Sequence, residues 1–153
     1  MLTKVERDEI IALIRQEVTP AIGCTEPIAV ALAVARVKEL LTVIPEKLDI
    51  WLSANVLKNA MGVGIPGTGM SGLPIAIAMG ALVGKSEYGL EVLRDSTPDI
   101  VEEGKKLVDR GIINIHLKED IVEKLYIEVT ASAGPDTARV IISREHTRFS
   151  LIE

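Results

Sequence analysis

Thr25-Glu26-Pro27-Ile28-Ala29-Val30-Ala31-Leu32-Ala33-Val34-Ala35-Arg36-Val37 is the stretch around which the rest of this chain has to be arranged. Thr25 is a good N-cap, Glu26 suits the positive end of a helix dipole, and Pro27 is tolerated in a first turn. Residues 28–37 hold a single charge, Arg36. A helix that is apolar on every side is buried on every side, so a central helix is expected over about 26–41. Directly before it, Pro20-Ala21-Ile22-Gly23-Cys24 sets the only cysteine at the mouth of that helix. A helix N-terminus favours the thiolate, which suits a metal ligand or a nucleophile. The same position also suits an inert thiol, because free cysteine is among the most buried residue types.

Working outward, Thr3-Lys4-Val5-Glu6 is a capping box opening a first helix, with Ile10, Leu13, Ile14 and Val18 on one face and Pro20 beyond its end. Leu48-Asp49-Ile50-Trp51-Leu52-Ser53 alternates as a strand does. A third, apolar helix is expected over about 74–83. A fourth starts at Thr97-Pro98-Asp99 and stops before Gly111. Residues 112–117, 125–130, 139–143 and 147–152 read as strands, with Ala133-Gly134-Pro135-Asp136 as a hairpin turn. The expected fold is α+β, with apolar helices packed on one face of a mostly antiparallel sheet of four to five strands, in one domain over 1–153. The last strand runs to Glu153 without a polar tail, so the chain is expected to be one half of something longer or a subunit with a partner.

At 153 residues and 48% hydrophobic composition the chain can bury a real core, which excludes disorder. Aromatic residues are 3% and the net charge is −5, the wrong equipment for a nucleic-acid binder. A single cysteine fits a reducing compartment, and the charged start (Lys4, Glu6, Arg7, Asp8, Glu9) is no secretory signal, so a cytoplasmic location is expected. Residues 59–84 carry no charge, but their helical part falls well short of the ~20 residues a membrane span needs.

Residues 62–72 repeat G-x-G-x-x-G, as Gly62, Gly64, Gly67 and as Gly67, Gly69, Gly72. A dinucleotide fingerprint needs a strand directly before the first glycine and an acidic residue ~20 positions on. Here polar residues 55–61 intervene, so that reading fails, and no P-loop lysine follows. Two readings remain open. The glycine amides, with Asn55, Lys58, Asn59 and Thr68, could receive a small carboxylate or phosphate. Alternatively, the loop lets two buried helices approach closely. His116 and His146 lack metal-ligand spacing, and His146 reads as an exposed turn residue. Met61, Met70 and Met79 read as core filler, and Glu102, Glu103, Lys105 and Lys106 as a solvated helix face.

Taken together, Pro20-Ala21-Ile22-Gly23-Cys24-Thr25-Glu26-Pro27 before an alanine-rich helix, Ser53-Ala54-Asn55-Val56-Leu57-Lys58-Asn59, Ile65-Pro66-Gly67-Thr68 and the late His146-Thr147 resemble the amino-terminal half of the L-cysteine desulfidase family, which is related to the alpha domain of iron–sulfur L-serine dehydratases. The resemblance implies a cytoplasmic lyase of amino-acid catabolism. It would use a [4Fe-4S] cluster on three cysteines to eliminate hydrogen sulfide from L-cysteine, leaving pyruvate and ammonia. Cys24 matches the first ligand; the resemblance puts the other two in a carboxy-terminal half, so this chain alone is expected to be inactive. By polarity and closeness to these motifs, the catalytic candidates are Glu26, as a base, and Lys58. The substrate-binding candidates are Thr25, Ser53, Asn55, Asn59 and Thr68. The expected partners are L-cysteine or a similar small amino acid, the missing half or a partner subunit, and a second copy of the chain. The alternatives are a serine dehydratase-type hydro-lyase part and a non-catalytic association module.

Overall fold

The computed structural model describes residues 1–17 and 25–153, with side chains for 1–13 and 25–153. The candidate ligand Cys24, the rest of 20–24 and the helix-face position Val18 lie outside the described residues, as does the side chain of Ile14.

The capping box forms as the sequence implies. The Thr3 amide donates to Glu6 Oε2 at 2.7 Å and the Glu6 amide to Thr3 Oγ1 at 3.1 Å, opening α1, Lys4–Glu17. The Thr3 backbone and hydroxyl bonds hold the Glu6 carboxyl below the ordinary carboxylate range. Among the described side chains of its apolar row, however, Ile10 and Leu13 are exposed, as is the neighbouring Ile11.

α2 runs Thr25–Leu41, so Thr25 is the first helical residue and not the cap expected of it. Every residue from Pro27 to Ala35 is buried, as an uncharged run requires. On one side α2 lies on the strands β5 (Tyr126–Ala133) and β6 (Asp136–Ser143). On the other it packs against α4, Leu73–Leu82, which in turn packs against α5, Pro98–Asp109. The result is a layered stack of sheet, α2, α4 and α5.

The α2–α4 contact depends on missing side chains. A Cβ at Gly80 would stand 2.6 Å from the Ala31 carbonyl oxygen, and one at Gly84 would stand 2.8 Å from Ala35 Cβ. These glycines, and not those of the 62–72 loop, bring the buried helices together. The loop is a small hairpin of β2 (Gly64–Ile65) and β3 (Met70–Ser71), in which Gly67 and Gly69 take positive φ. The packing-loop reading is thus corrected.

The expected fold class holds. Five strands order as β4-β1-β5-β6-β7, where β1 is Lys47–Leu52, β4 is Ile113–Leu117 and β7 is Phe149–Ile152. All pairs are antiparallel except β1–β4, whose parallel pairing is possible because α3, α4 and α5 intervene in sequence. Leu48, Ile50, Leu52, Ile127, Val129, Ala131, Ala138, Val140 and Ile142 are all buried, making the helix-facing side of the sheet. Of the three methionines read as core filler only Met79 is buried, whereas Met61 is exposed and Met70 lies in the hairpin. The helix face at Glu102, Glu103, Lys105 and Lys106 is solvated, with ion pairs at i,i+3.

Gly80→Ala should destabilise the fold by about 1–3 kcal/mol, because backbone must move to admit the methyl group. Gly64→Ala, with open space around it, should stay within about 0.5 kcal/mol. Urea denaturation of the two variants against the parent checks the contrast.

Candidate functional site

β1 and β4 are parallel, and β6 runs the same way because both β1 and β6 are antiparallel to β5. Their C-terminal ends therefore share one edge of the sheet. There β1 leaves through Ser53 into α3 (Ala54–Ala60), β4 leaves into the 118–124 segment, and β6 leaves into the 144–148 turn. α3 went unrecognised in the sequence, where its residues read only as a polar cluster.

Ser53 is the joint of this edge. Its hydroxyl donates to the Lys124 carbonyl at 2.6 Å and accepts from the Val56 amide at 3.4 Å, capping α3. Its amide donates to the Tyr126 carbonyl at 3.1 Å, while the Arg144 amide donates to the adjacent Leu125 carbonyl at 3.4 Å. The α3 cap and the His146 turn thus flank the start of β5. Beside them, His146 Nε2 stands 3.5 Å from Glu26 Oε1, in the first turn of α2. A carboxylate at that position is also favoured by the helix dipole. His146 is a turn residue, as read, but it faces Glu26 instead of simply facing solvent, and Gly89 lies against the Thr147 methyl. No spacing rule could have found this pair, because 120 positions of chain separate the two residues.

The remaining candidates divide. Thr25 is next to Glu26 on α2. Asn55, Lys58 and Asn59 are exposed at i, i+3 and i+4 on α3, and so share one helix face. Asn55 and Ser53 line a cleft of about 430 Å³ with Lys118, Glu119, Asp120 and Lys124. Thr68 belongs to the hairpin instead. Its buried hydroxyl donates to the Ile65 carbonyl at 2.7 Å and accepts from the Met70 amide at 3.0 Å, closing the turn.

A second polar cluster, unread in the sequence, covers the sheet face away from the helices. His116 stacks on Trp51 with ring centroids 4.3 Å apart, and its Nε2 is 3.1 Å from Asp49 Oδ1. Glu128, only 7% exposed, accepts from the Tyr126 hydroxyl at 2.6 Å and pairs with Arg139 at 3.3 Å and Lys118 at 3.6 Å. Burial pushes the Glu128 carboxyl up, but the Tyr126 hydroxyl and the two cations outweigh it and hold the carboxyl below its ordinary range. The Tyr126 phenol is pushed up to about 12, by burial first and then by the Glu128 carboxylate. The signal was available: alternation of Leu48, Ile50 and Leu52 sends Asp49 and Trp51 to the opposite face.

Among the described residues, no group of three or more His, Cys, Asp or Glu is arranged to hold a metal ion. The whole chain has one cysteine, and a cubane cluster is held by several thiolates. The donors of this chain alone therefore do not fit a [4Fe-4S] cluster. No described helix is long and apolar enough to cross a membrane.

An α+β domain with a carboxylate–imidazole pair at a helix mouth is the class that these observations define. The chain is similar to a UPF0597 protein of Bacteroides fragilis, 68% identical over 148 residues, which is 97% of this chain and 35% of the relative. A UPF0597 protein of Phocaeicola vulgatus is 67% identical over 149 residues, again 97% of this chain and 35% of the relative. One from Aeromonas hydrophila is 47% identical over 150 residues, 98% and 34% respectively. The chain spans about a third of the length of these curated relatives. Their shared name states no substrate or reaction. No family model and no solved structure matches.

The Tyr126–Glu128 bond has a spectroscopic consequence. A tyrosine should ionise at about 12, read by tyrosinate absorbance, and return toward its ordinary value in Glu128→Gln. Because the folded Glu128 pKa is lowered, its stabilisation is present above the unfolded carboxylate value and is lost as pH falls through the folded one. Urea midpoints from pH 6 down to pH 3 should therefore fall less steeply in Glu128→Gln than in the parent.

Proposed function

We propose that this chain is the amino-terminal part of a lyase that eliminates hydrogen sulfide from L-cysteine, acting in the cytoplasm with an iron–sulfur centre completed by cysteines from outside the chain. The observation that carries the reading is the 3.5 Å approach of Glu26 to His146. It joins the two ends of the resembling motif series, the start of α2 next to Cys24 and the late His146-Thr147.

Elimination requires removal of the α-proton and departure of sulfide with a proton, leaving aminoacrylate; addition of water then yields pyruvate and ammonia. His146 is suited to take and return that proton, because an imidazole ring nitrogen can both accept and donate one. Glu26 orients the ring, the arrangement in which a base is held by a third group. The 3.5 Å separation is longer than a hydrogen bond, and such contacts commonly tighten when substrate binds. Asn55, Lys58 and Asn59 present donors along one face of α3, suited to a substrate carboxylate. The lone cysteine of this chain accounts for only part of a cluster site.

The test is a chimera in which this chain is joined to the unmatched two-thirds of the Bacteroides fragilis relative, purified anaerobically. The 153-residue chain alone should release no sulfide, whereas the chimera should contain iron and acid-labile sulfide and convert L-cysteine to pyruvate. Cys24→Ala should lose the iron. His146→Gln should keep it while lowering kcat by about 10²–10⁴-fold. Absence of iron from the parent chimera, or iron that survives Cys24→Ala, would overturn the reading.

A further inference from the structure

α1 is a helix whose formation and exposure do not match. Its capping box is complete, with both reciprocal bonds made. Among the described residues, nevertheless, α1 contributes none to the buried core. Val5, Ile10, Ile11 and Leu13 are all between 40% and 66% exposed, and Leu2 before the helix is 54% exposed. Ile10, Ile11 and Leu13 lie within about 160° of the helix circumference, on one side of α1. A helix of 14 residues is marginal in water without tertiary packing, since its nucleation cost is recovered over few bonds. Exposing such a face adds an unfavourable solvation term.

The described core leaves this side of α1 uncovered, and the relatives offer a candidate for what meets it. In the three relatives described above, the matching segment is only 34–35% of the chain. The remaining two-thirds is tethered to it, so its effective concentration at α1 is in the millimolar range for a short flexible connection. A second copy at ordinary protein concentration competes poorly with that. The face is also aliphatic, with Lys4, Glu6, Arg7, Asp8 and Glu9 beside it, the pattern of an apolar stripe with a polar border that docks on another protein surface.

We propose that α1 is a docking helix whose Ile10, Ile11 and Leu13 face is covered by the polypeptide that forms the unmatched two-thirds of the UPF0597 relatives. The inference shares with the proposed lyase only the premise that further polypeptide completes this domain, and it requires no cluster.

Amide hydrogen exchange on the 153-residue chain and on the chimera tests it. In the isolated chain, α1 amides should exchange fast while α2 amides are protected. In the chimera, α1 amides should slow by at least ~100-fold, and Ile10→Asp with Leu13→Asp should reverse that slowing. The same double variant in the isolated chain should leave α2 protection unchanged. The full-length Bacteroides fragilis relative supplies a second comparison, read over its own matched first helix, should the chimera fold poorly. Equal α1 exchange in the isolated and joined forms would overturn the proposal. So would α1 protection in the isolated monomer, or protection that grows with the concentration of the isolated chain, which would assign the face to a second copy. A chimera that lacks iron but protects α1 would leave this inference standing while the lyase reading fell.

Discussion

The close approach of α2 and α4 is the constraint on which the rest of the molecule depends. α2 has to lie against the sheet on one side and accept α4 on the other, and it can do so only because small residues line its contacts. Ala31 and Ala35 on α2 meet Gly80 on α4 and Gly84 just past its end, with no room for a further carbon. Close-packed interiors transmit such limits without slack. Moving α4 outward would carry α5 with it, and would open the core around Met79, whose sulfur comes within 3.0 Å of a Cβ position at Gly104 on α5. The two helices are also tied at their far end, where the Ser86 amide donates to Glu39 at 2.8 Å and Lys38 donates to the Gly84 carbonyl at 3.1 Å.

The position of the candidate site follows from that stack. With α2 held across β5 and β6, its N-terminus comes to the sheet edge at which β1, β4 and β6 end. Chain segments leaving parallel-running strands at a common edge bring distant parts of a sequence together, which is why ligand sites so often form there. Here the edge collects the Ser53 cap, the exposed face of α3 and His146 opposite Glu26. The opposite face of the sheet carries a different organisation. Glu128 is buried among Tyr126, Arg139 and Lys118, and its hydrogen bond and ion pairs offset the cost of placing a carboxylate there. That network gives the uncovered face of the sheet a fixed polar surface without interrupting the aliphatic core behind it.

Local rules were sufficient for much of this chain. The uncharged run from Ile28, the reciprocal Thr3 and Glu6 cap, and the Thr97-Pro98 start with Gly111 beyond the end all act over a few residues, so they are visible in order along the sequence. α3 escaped notice because seven residues give too little periodicity, and its cap residue also ends a strand pattern. The glycine loop misled for a related reason: positive φ at a hairpin turn and close helix packing both select glycine, and only position in space separates them. Met61 and Met70 were misread because apolar composition does not say which side of an element faces inward.

What the sequence by itself determined is the kind of element most of the longer segments become, the α+β class, and the burial of the uncharged part of α2, because these rest on charge spacing, caps and alternation within short windows. What only the tertiary structure decided is which distant residues meet. His146 reaches Glu26 because β6 runs parallel to β1 and α2 crosses the sheet, a consequence of strand order and register that no local pattern encodes. The exposure of α1 was likewise undecidable from its sequence. An amphipathic helix states that it needs a partner surface, and only packing shows whether its own domain supplies one.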